Sequence, residues 1–141
     1  MKHEYKNLGI WKRAREINKR TYSLSRQFST DERFGLKDQI RRSSVSVVSN
    51  IAEGTGFDSD KQLIKYLYIS LGSLCELETQ FYVAYDLDYI RKDQLENILE
   101  QTLELKKMTI GLIKKIKNDN RFNLPFLMMT FIFSLIILLK N

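Results

Sequence analysis

The only proline of this chain is Pro125, and just six glycines are spread over its 141 residues. A backbone with so few helix breakers is constrained towards long uninterrupted helices rather than strands joined by tight turns. Apolar residues recur at helical spacing almost throughout. From about Leu8 to Phe28, Ile10, Ala14, Ile17, Leu24 and Phe28 share one face. Ser29-Thr-Asp-Glu32 reads as a capping box, in which a Ser hydroxyl and a Glu three residues on satisfy each other's free amides. It predicts a second helix running to Glu53, with Gly54 and Gly56 as its terminators. Ser59-Asp-Lys-Gln62 is another box, opening a third helix to about Asp86. A turn over Leu87–Arg91 leads to a fourth helix ending near Lys117.

Four helices with short connections pack as antiparallel neighbours. The expected fold is therefore all-α, an antiparallel up-down four-helix bundle over residues 1–120, followed by a hydrophobic tail over 121–141. The third helix adds a demand. Leu63, Ile64, Tyr66, Leu67, Tyr68, Ile69, Leu71, Leu74, Leu77, Phe81, Tyr82, Val83 and Tyr85 cover most of its circumference. A helix apolar nearly all round is buried on more than one side, which a lone bundle does not provide. Self-association is expected from it.

Residues 41–54, RRSSVSVVSNIAEG, resemble an active site in their density of serines beside two arginines. Inventory argues against that reading. The only histidine is His3 and the only cysteine is Cys75, so no Ser-His-acid triad and no His/Cys metal site can be assembled. A serine without a nearby base is not an activated nucleophile. Gly54-Thr-Gly56 follows a helix and lacks the Gly-Lys-Ser/Thr ending of a phosphate loop. No enzyme, cofactor or metal is expected. On a helical projection Ile40, Ser44, Val45, Val47, Val48, Ile51 and Ala52 form a broad apolar side. Arg42, Ser43, Ser46, Ser49, Asn50 and Glu53 form the other. That small-residue side is expected to pack against another subunit: Arg42, Ser43, Ser46, Ser49 and Asn50, with Tyr66 and Tyr68, are the candidate oligomer interface, and Arg42 is expected to meet a neighbouring subunit's acid.

The motifs FGLKDQIRR (34–42), SVVSNIAEGTG (46–56) and GSLCELETQ (72–80), with Ile10-Trp-Lys12, Phe28 and Tyr89-Ile90, together resemble the bacterial four-helix bundle family. Its members include open reading frames carried by intervening sequences in 23S ribosomal RNA genes. The resemblance spans about residues 7–118. It implies an all-helical bundle assembled as a ring-like homopentamer, with no enzymatic activity. A related branch, the basic accessory protein of diversity-generating retroelements, implies nucleic acid and a reverse transcriptase as partner classes. Val48 stands where the family usually has proline, so this helix can stay straight. Phe57 stands where the family usually has a basic residue, which removes a cation from the helix 2–3 corner.

Charge is distributed unevenly. Residues 1–30 carry eight Lys and Arg against Glu4 and Glu16, residues 31–105 eight against fourteen acids, and residues 106–141 seven against Asp119. Basic ends around an acidic middle point to a polyanion or an anionic membrane surface. On the first helix Lys12, Arg15, Lys19 and Arg26 make one stripe and Arg13 and Arg20 a second, with Trp11 and Tyr22 beside the first. In an antiparallel bundle the end of helix 4 is expected to add Lys106, Lys107, Lys114, Lys115 and Lys117. Taken singly these are ordinary solvent-facing charges. Taken together they predict non-specific binding of RNA or DNA through phosphates. The binding candidates are Lys12, Arg13, Arg15, Lys19, Arg20, Arg26, Lys107, Lys114, Lys115 and Lys117.

The alternative function lies in the tail. Leu124–Leu139 is uncharged, yet as a helix it would reach only about 24 Å against a hydrocarbon core of about 30 Å. A membrane-anchored assembly protein, with the lysines at the anionic surface, competes with packing of the tail on the bundle or on other subunits, and with an accidental extension beyond the family resemblance. Pro125 is expected to start a new helix. Met1–Asn7 is polar with no apolar run behind it, so a cytoplasmic protein, membrane-associated if residues 122–139 anchor it, is expected.

Overall fold

A computed structural model describes residues 4–29 and 35–138, from residue 120 onward by backbone alone. After a single turn over Tyr5–Asn7, four helices follow: α1 Gly9–Ser25, α2 Leu36–Gly56, α3 Asp60–Asp86 and α4 Lys92–Leu138. Among the described residues all regular structure is helical. The predicted face of α1 is the buried one, with Ile10, Ala14, Ile17, Leu24 and Phe28 all nearly inaccessible. They meet Ile40, Val47 and Ile51 of α2, Leu67, Leu74, Leu77 and Phe81 of α3, and Ile98, Leu105 and Ile113 of α4 in one continuous core.

The helix ends show how local chemistry punctuates the chain. Ser59 caps α3 by accepting from the amide of Gln62, as its box predicts. The capping box at 29–32 falls mostly outside the described residues, and α2 starts at Leu36 behind Gly35. At the end of α3, the Asp88 amide donates to the Tyr85 carbonyl and the Tyr89 amide to that of Ala84. This is the Schellman pattern, with Asp88 in the left-handed region at φ 59°. Tyr89, just beyond, stacks on Phe28 at 5.1 Å and closes that end of the core. Gln94 then accepts from the Arg91 amide and opens α4.

Two boundaries differ from expectation. Gly54 does not end α2: it is helical and buried, no glycine has positive φ among the described residues, and the stop comes at Phe57, which turns extended. A Cβ on Gly54 would lie 2.8 Å from the Tyr66 Cβ, so this glycine serves helix–helix approach rather than termination. Nor does α4 stop near Lys117. It runs to Leu138, through Pro125.

The helices pack antiparallel in the cyclic order α1, α2, α3, α4. Ser44 donates to the Asn18 Oδ1 at 2.8 Å across the α1/α2 seam. The α2/α3 seam is made of small polar residues: Ser43 donates to Gln80 Oε1 at 2.7 Å, the Ser46 and Ser73 hydroxyls pair at 2.8 Å, and Ser70 donates to the Val47 carbonyl at 3.0 Å. Lys106 of α4 pairs with Glu78 of α3. Arg13 of α1 pairs with Glu104 of α4 at 2.5 Å.

These contacts show what the residues of the expected oligomer interface do within one chain. Ser43 is buried, and Ser43, Ser46 and Asn50 are used within the chain, the last donating to the Ser46 carbonyl at 2.8 Å. Tyr66 stacks on Phe57 at 5.3 Å and hydrogen-bonds Glu53, which raises the Tyr66 phenol pKa. Within the chain, Arg42 pairs with Asp38 of its own helix at 3.2 Å. The small residues let α3 approach α2 closely, so the side assigned to a second subunit is largely covered by the chain's own third helix. Ser49 and Tyr68 stay exposed.

Candidate nucleic-acid interface

Lys12, Arg15, Lys19 and Arg26 project from the face of α1 opposite the core, and all four are exposed. None pairs with a carboxylate among the described residues. Arg15 lies over the Trp11 ring at 4.9 Å, a cation–π contact. The second stripe behaves differently. Arg13 is held by Glu16 at 2.8 Å as well as by Glu104. The hydrogen bond to Glu16, with Glu104 adding to it against the cost of burial, raises the Arg13 pKa. Arg20 is half-buried, its Nε without a partner among the described residues. Arg13 thus turns towards α4, and neither arginine is fully exposed.

The register of α1 against α4 determines which lysines can join this face. A Cβ on Gly9 would lie 3.3 Å from the Met108 Cε and Arg13 meets Glu104, so residues beyond about 110 of α4 project past the first turn of α1. Lys107, Lys114 and Lys115 are exposed, but only Lys107 lies alongside α1. Lys117 reaches the other way, with Nζ 3.2 Å from the Tyr68 hydroxyl and over its ring. Lys106 likewise turns to α3. The broad face expected from helices 1 and 4 is therefore not formed, because the α4 segment beside α1 carries Glu100 and Glu104.

The cationic surface extends instead onto α2. Arg41 crosses the α1/α2 seam, donates from Nε to Ser25 Oγ at 2.8 Å, and lies over the Tyr22 ring at 4.9 Å. Two clefts flank that ring. One, about 560 Å³, is lined by Tyr22, Asp38, Arg41, Arg42, Val45 and Ser46. The other, about 320 Å³, is lined by Asn18, Lys19, Tyr22, Ser23 and Arg26. The sequence reading placed Tyr22 beside the basic stripe but did not assign Arg41 to it. The available signal was position: Arg41 precedes Ser44 by one turn and Val48 by two, on the side of α2 that meets α1.

A second surface is apolar. The α3/α4 register set by Glu78–Lys106 and Tyr68–Lys117 places Tyr82 opposite Leu103 and Cys75 opposite Ile110. Tyr82 and Leu103 are each half exposed, and Tyr68, Ile69, Val83 and Ile110 are also accessible. The burial that the α3 pattern demands is thus not supplied within one chain.

The serines of residues 43–46 are engaged in packing hydrogen bonds, and no group of three His, Cys, Asp or Glu gathers for a metal among the described residues. Among those residues no helix is long and apolar enough to cross a membrane. The side chains of the tail, on which the anchor reading depends, lie outside them.

An all-α, up-down four-helix bundle with a basic outer helix defines the protein class. The chain belongs to the family of the 23S rRNA-intervening sequence protein, whose family model matches residues 6–111. It is also similar to a solved structure from Bacteroides thetaiotaomicron, a protein of unknown function from the S23 ribosomal protein family. The two share 27% identity and a TM-score of 0.69, over 74% of this chain and 98% of that one. Neither name attaches a catalytic activity. No curated protein matches significantly.

Proposed function

We propose that this protein is a non-enzymatic, self-associating helical bundle that binds nucleic acid through its phosphates. The observation that carries the reading is the outer stripe of α1, Lys12, Arg15, Lys19 and Arg26, which no carboxylate among the described residues pairs with, continued across the seam by Arg41. Cations without carboxylate partners are free to displace the counterions of a polyanion, which gives affinity with little sequence preference. The exposed apolar α3/α4 seam supports self-association, and association would repeat the stripe and raise affinity by avidity.

The test is fluorescence anisotropy of labelled RNA and DNA titrated with the full chain over a salt series. Affinity should fall with a log–log slope of about −2 to −4, at about −0.7 to −0.9 per phosphate contacted. Reversing Lys12, Arg15, Lys19 and Arg26 together to Glu should abolish binding while leaving the helical circular dichroism intact. Binding absent at low salt, or unchanged in the quadruple variant, would overturn the reading.

A further inference from the structure

We propose that Tyr22 is a stacking platform for an unpaired base, so that the ligand of the α1/α2 surface is single-stranded rather than duplex nucleic acid. The inference rests on the phosphate-binding reading above and adds to it the class of strand.

Tyr22 is 38% exposed although it stands at the seam of two packed helices. Arg41 covers it from the α2 side, and the Ser25 hydroxyl holds the Arg41 Nε, so the guanidinium is fixed in place with its Nη edge unpaired among the described residues. The smaller cleft, which Arg41 does not line, is formed by α1 residues, Tyr22 among them, and the Arg26 that follows them. Its volume of about 320 Å³ is at the lower end of small-ligand sites, which run from about 300 to 1,000 Å³. Lys19 precedes Tyr22 by three residues and Arg26 follows it by four, which places them about 4.5 and 6 Å from it along the helix axis. Both line that cleft, so a nucleotide stacked on the ring has a cation for the phosphate on either side. Asn18 completes the cleft: its Oδ1 is engaged by Ser44, which keeps its amide hydrogens for a base edge.

A duplex cannot use this arrangement. Its bases are stacked on one another and present only their edges, whereas a single strand can turn a base outward onto an aromatic face. Every base has such a face, so the site selects strandedness without selecting sequence. A groove lined by cations alone would treat the two forms by charge density only.

The experiment measures binding of the full chain to four labelled probes of one length at one low salt concentration. These are an oligothymidylate, an oligouridylate, an abasic deoxyribose strand and a duplex. Both base-bearing single strands should bind about tenfold more tightly than the abasic strand, the advantage of a stacked base. Tyr22→Ala should bring them down to the abasic level and leave the abasic strand and duplex unchanged, while Tyr22→Phe retains the advantage. If the abasic strand binds as tightly as oligothymidylate, or Tyr22→Ala weakens all four probes alike, the stacking role is overturned and the phosphate reading stands. If no probe binds the wild-type protein, both fall together.

Discussion

Gly54 and Tyr66 approach so closely that a Cβ on Gly54 would lie 2.8 Å from the Cβ of Tyr66, with Leu63 Cδ1 only 3.2 Å away. The α2/α3 seam is built on that approach. Gly54→Ala gains up to about 1 kcal/mol of helix propensity but forces two helix backbones apart, an overpacking cost of about 1–3 kcal/mol. A net loss of stability is expected in urea denaturation. Gly72→Ala is the control, because nothing lies within 4 Å of its Cβ position. That variant should gain about 0.5–1 kcal/mol. Equal effects at the two glycines would show that the seam is looser than described.

Asp88 occupies the left-handed position of the Schellman motif that ends α3. An aspartate tolerates this conformation better than most residues, yet its Cβ still costs energy that glycine avoids. Asp88→Gly should therefore stabilise the bundle by about 0.5–1 kcal/mol in thermal or urea unfolding. Asp88→Val should destabilise it, since a β-branched side chain cannot adopt this φ without strain.

Lys106 and Glu78 tie α4 to α3 with both side chains largely buried. Burial lowers the Lys106 pKa, but the hydrogen bond and charge of Glu78 more than offset it, so the net shift is upward. A lysine whose folded pKa is raised contributes its stability fully below the unfolded value of about 10.4 and loses it as pH rises through the folded value. Lys106→Met should cost about 1 kcal/mol at neutral pH, and the difference from wild type should narrow only in strongly alkaline buffer. A difference that instead narrowed between pH 7 and 9 would point to another group.

Tyr82 and Leu103, opposite each other across the α3/α4 seam, are 51% and 49% exposed. If this seam is where copies of the chain meet, Tyr82→Lys with Leu103→Lys should weaken association by at least about 30-fold, the loss of a central aromatic anchor. Light scattering coupled to size exclusion reads that outcome directly. An unchanged mass, with the helical spectrum intact, would remove this seam from the assembly.

The α1 core face, the Ser59 cap, the turn at 87–91 and the inventory that leaves no triad were all legible in the order of residues. Each depends on neighbours within one or two helical turns or on simple counting. The site was legible only in half. The outward stripe of α1 follows from spacing, but Arg41 joins Tyr22 from nineteen positions away, across a seam whose register no local pattern states. The same gap explains the lysines of α4: periodicity shows that they face outward, while the pairing of Arg13 with Glu104 and the nearness of Met108 to Gly9 place most of them beyond the end of α1.

Residues 41–54 mark the division most clearly. Periodicity separates their apolar and small-residue sides, because alternation at 3.6 residues reports which positions leave water. It does not report what covers them. A serine seam suits a second subunit or the chain's own next helix equally well, since both require only a close backbone approach. In the folded bundle Ser43 meets Gln80 and Ser46 meets Ser73, so α3 takes that side. The face left uncovered is instead the outer side of α3 and its border with α4. Helices, caps and charge stripes are local and were written in the chain; the choice of neighbours for each face came from packing, where register and the close approach at Gly54 decide which surfaces can touch.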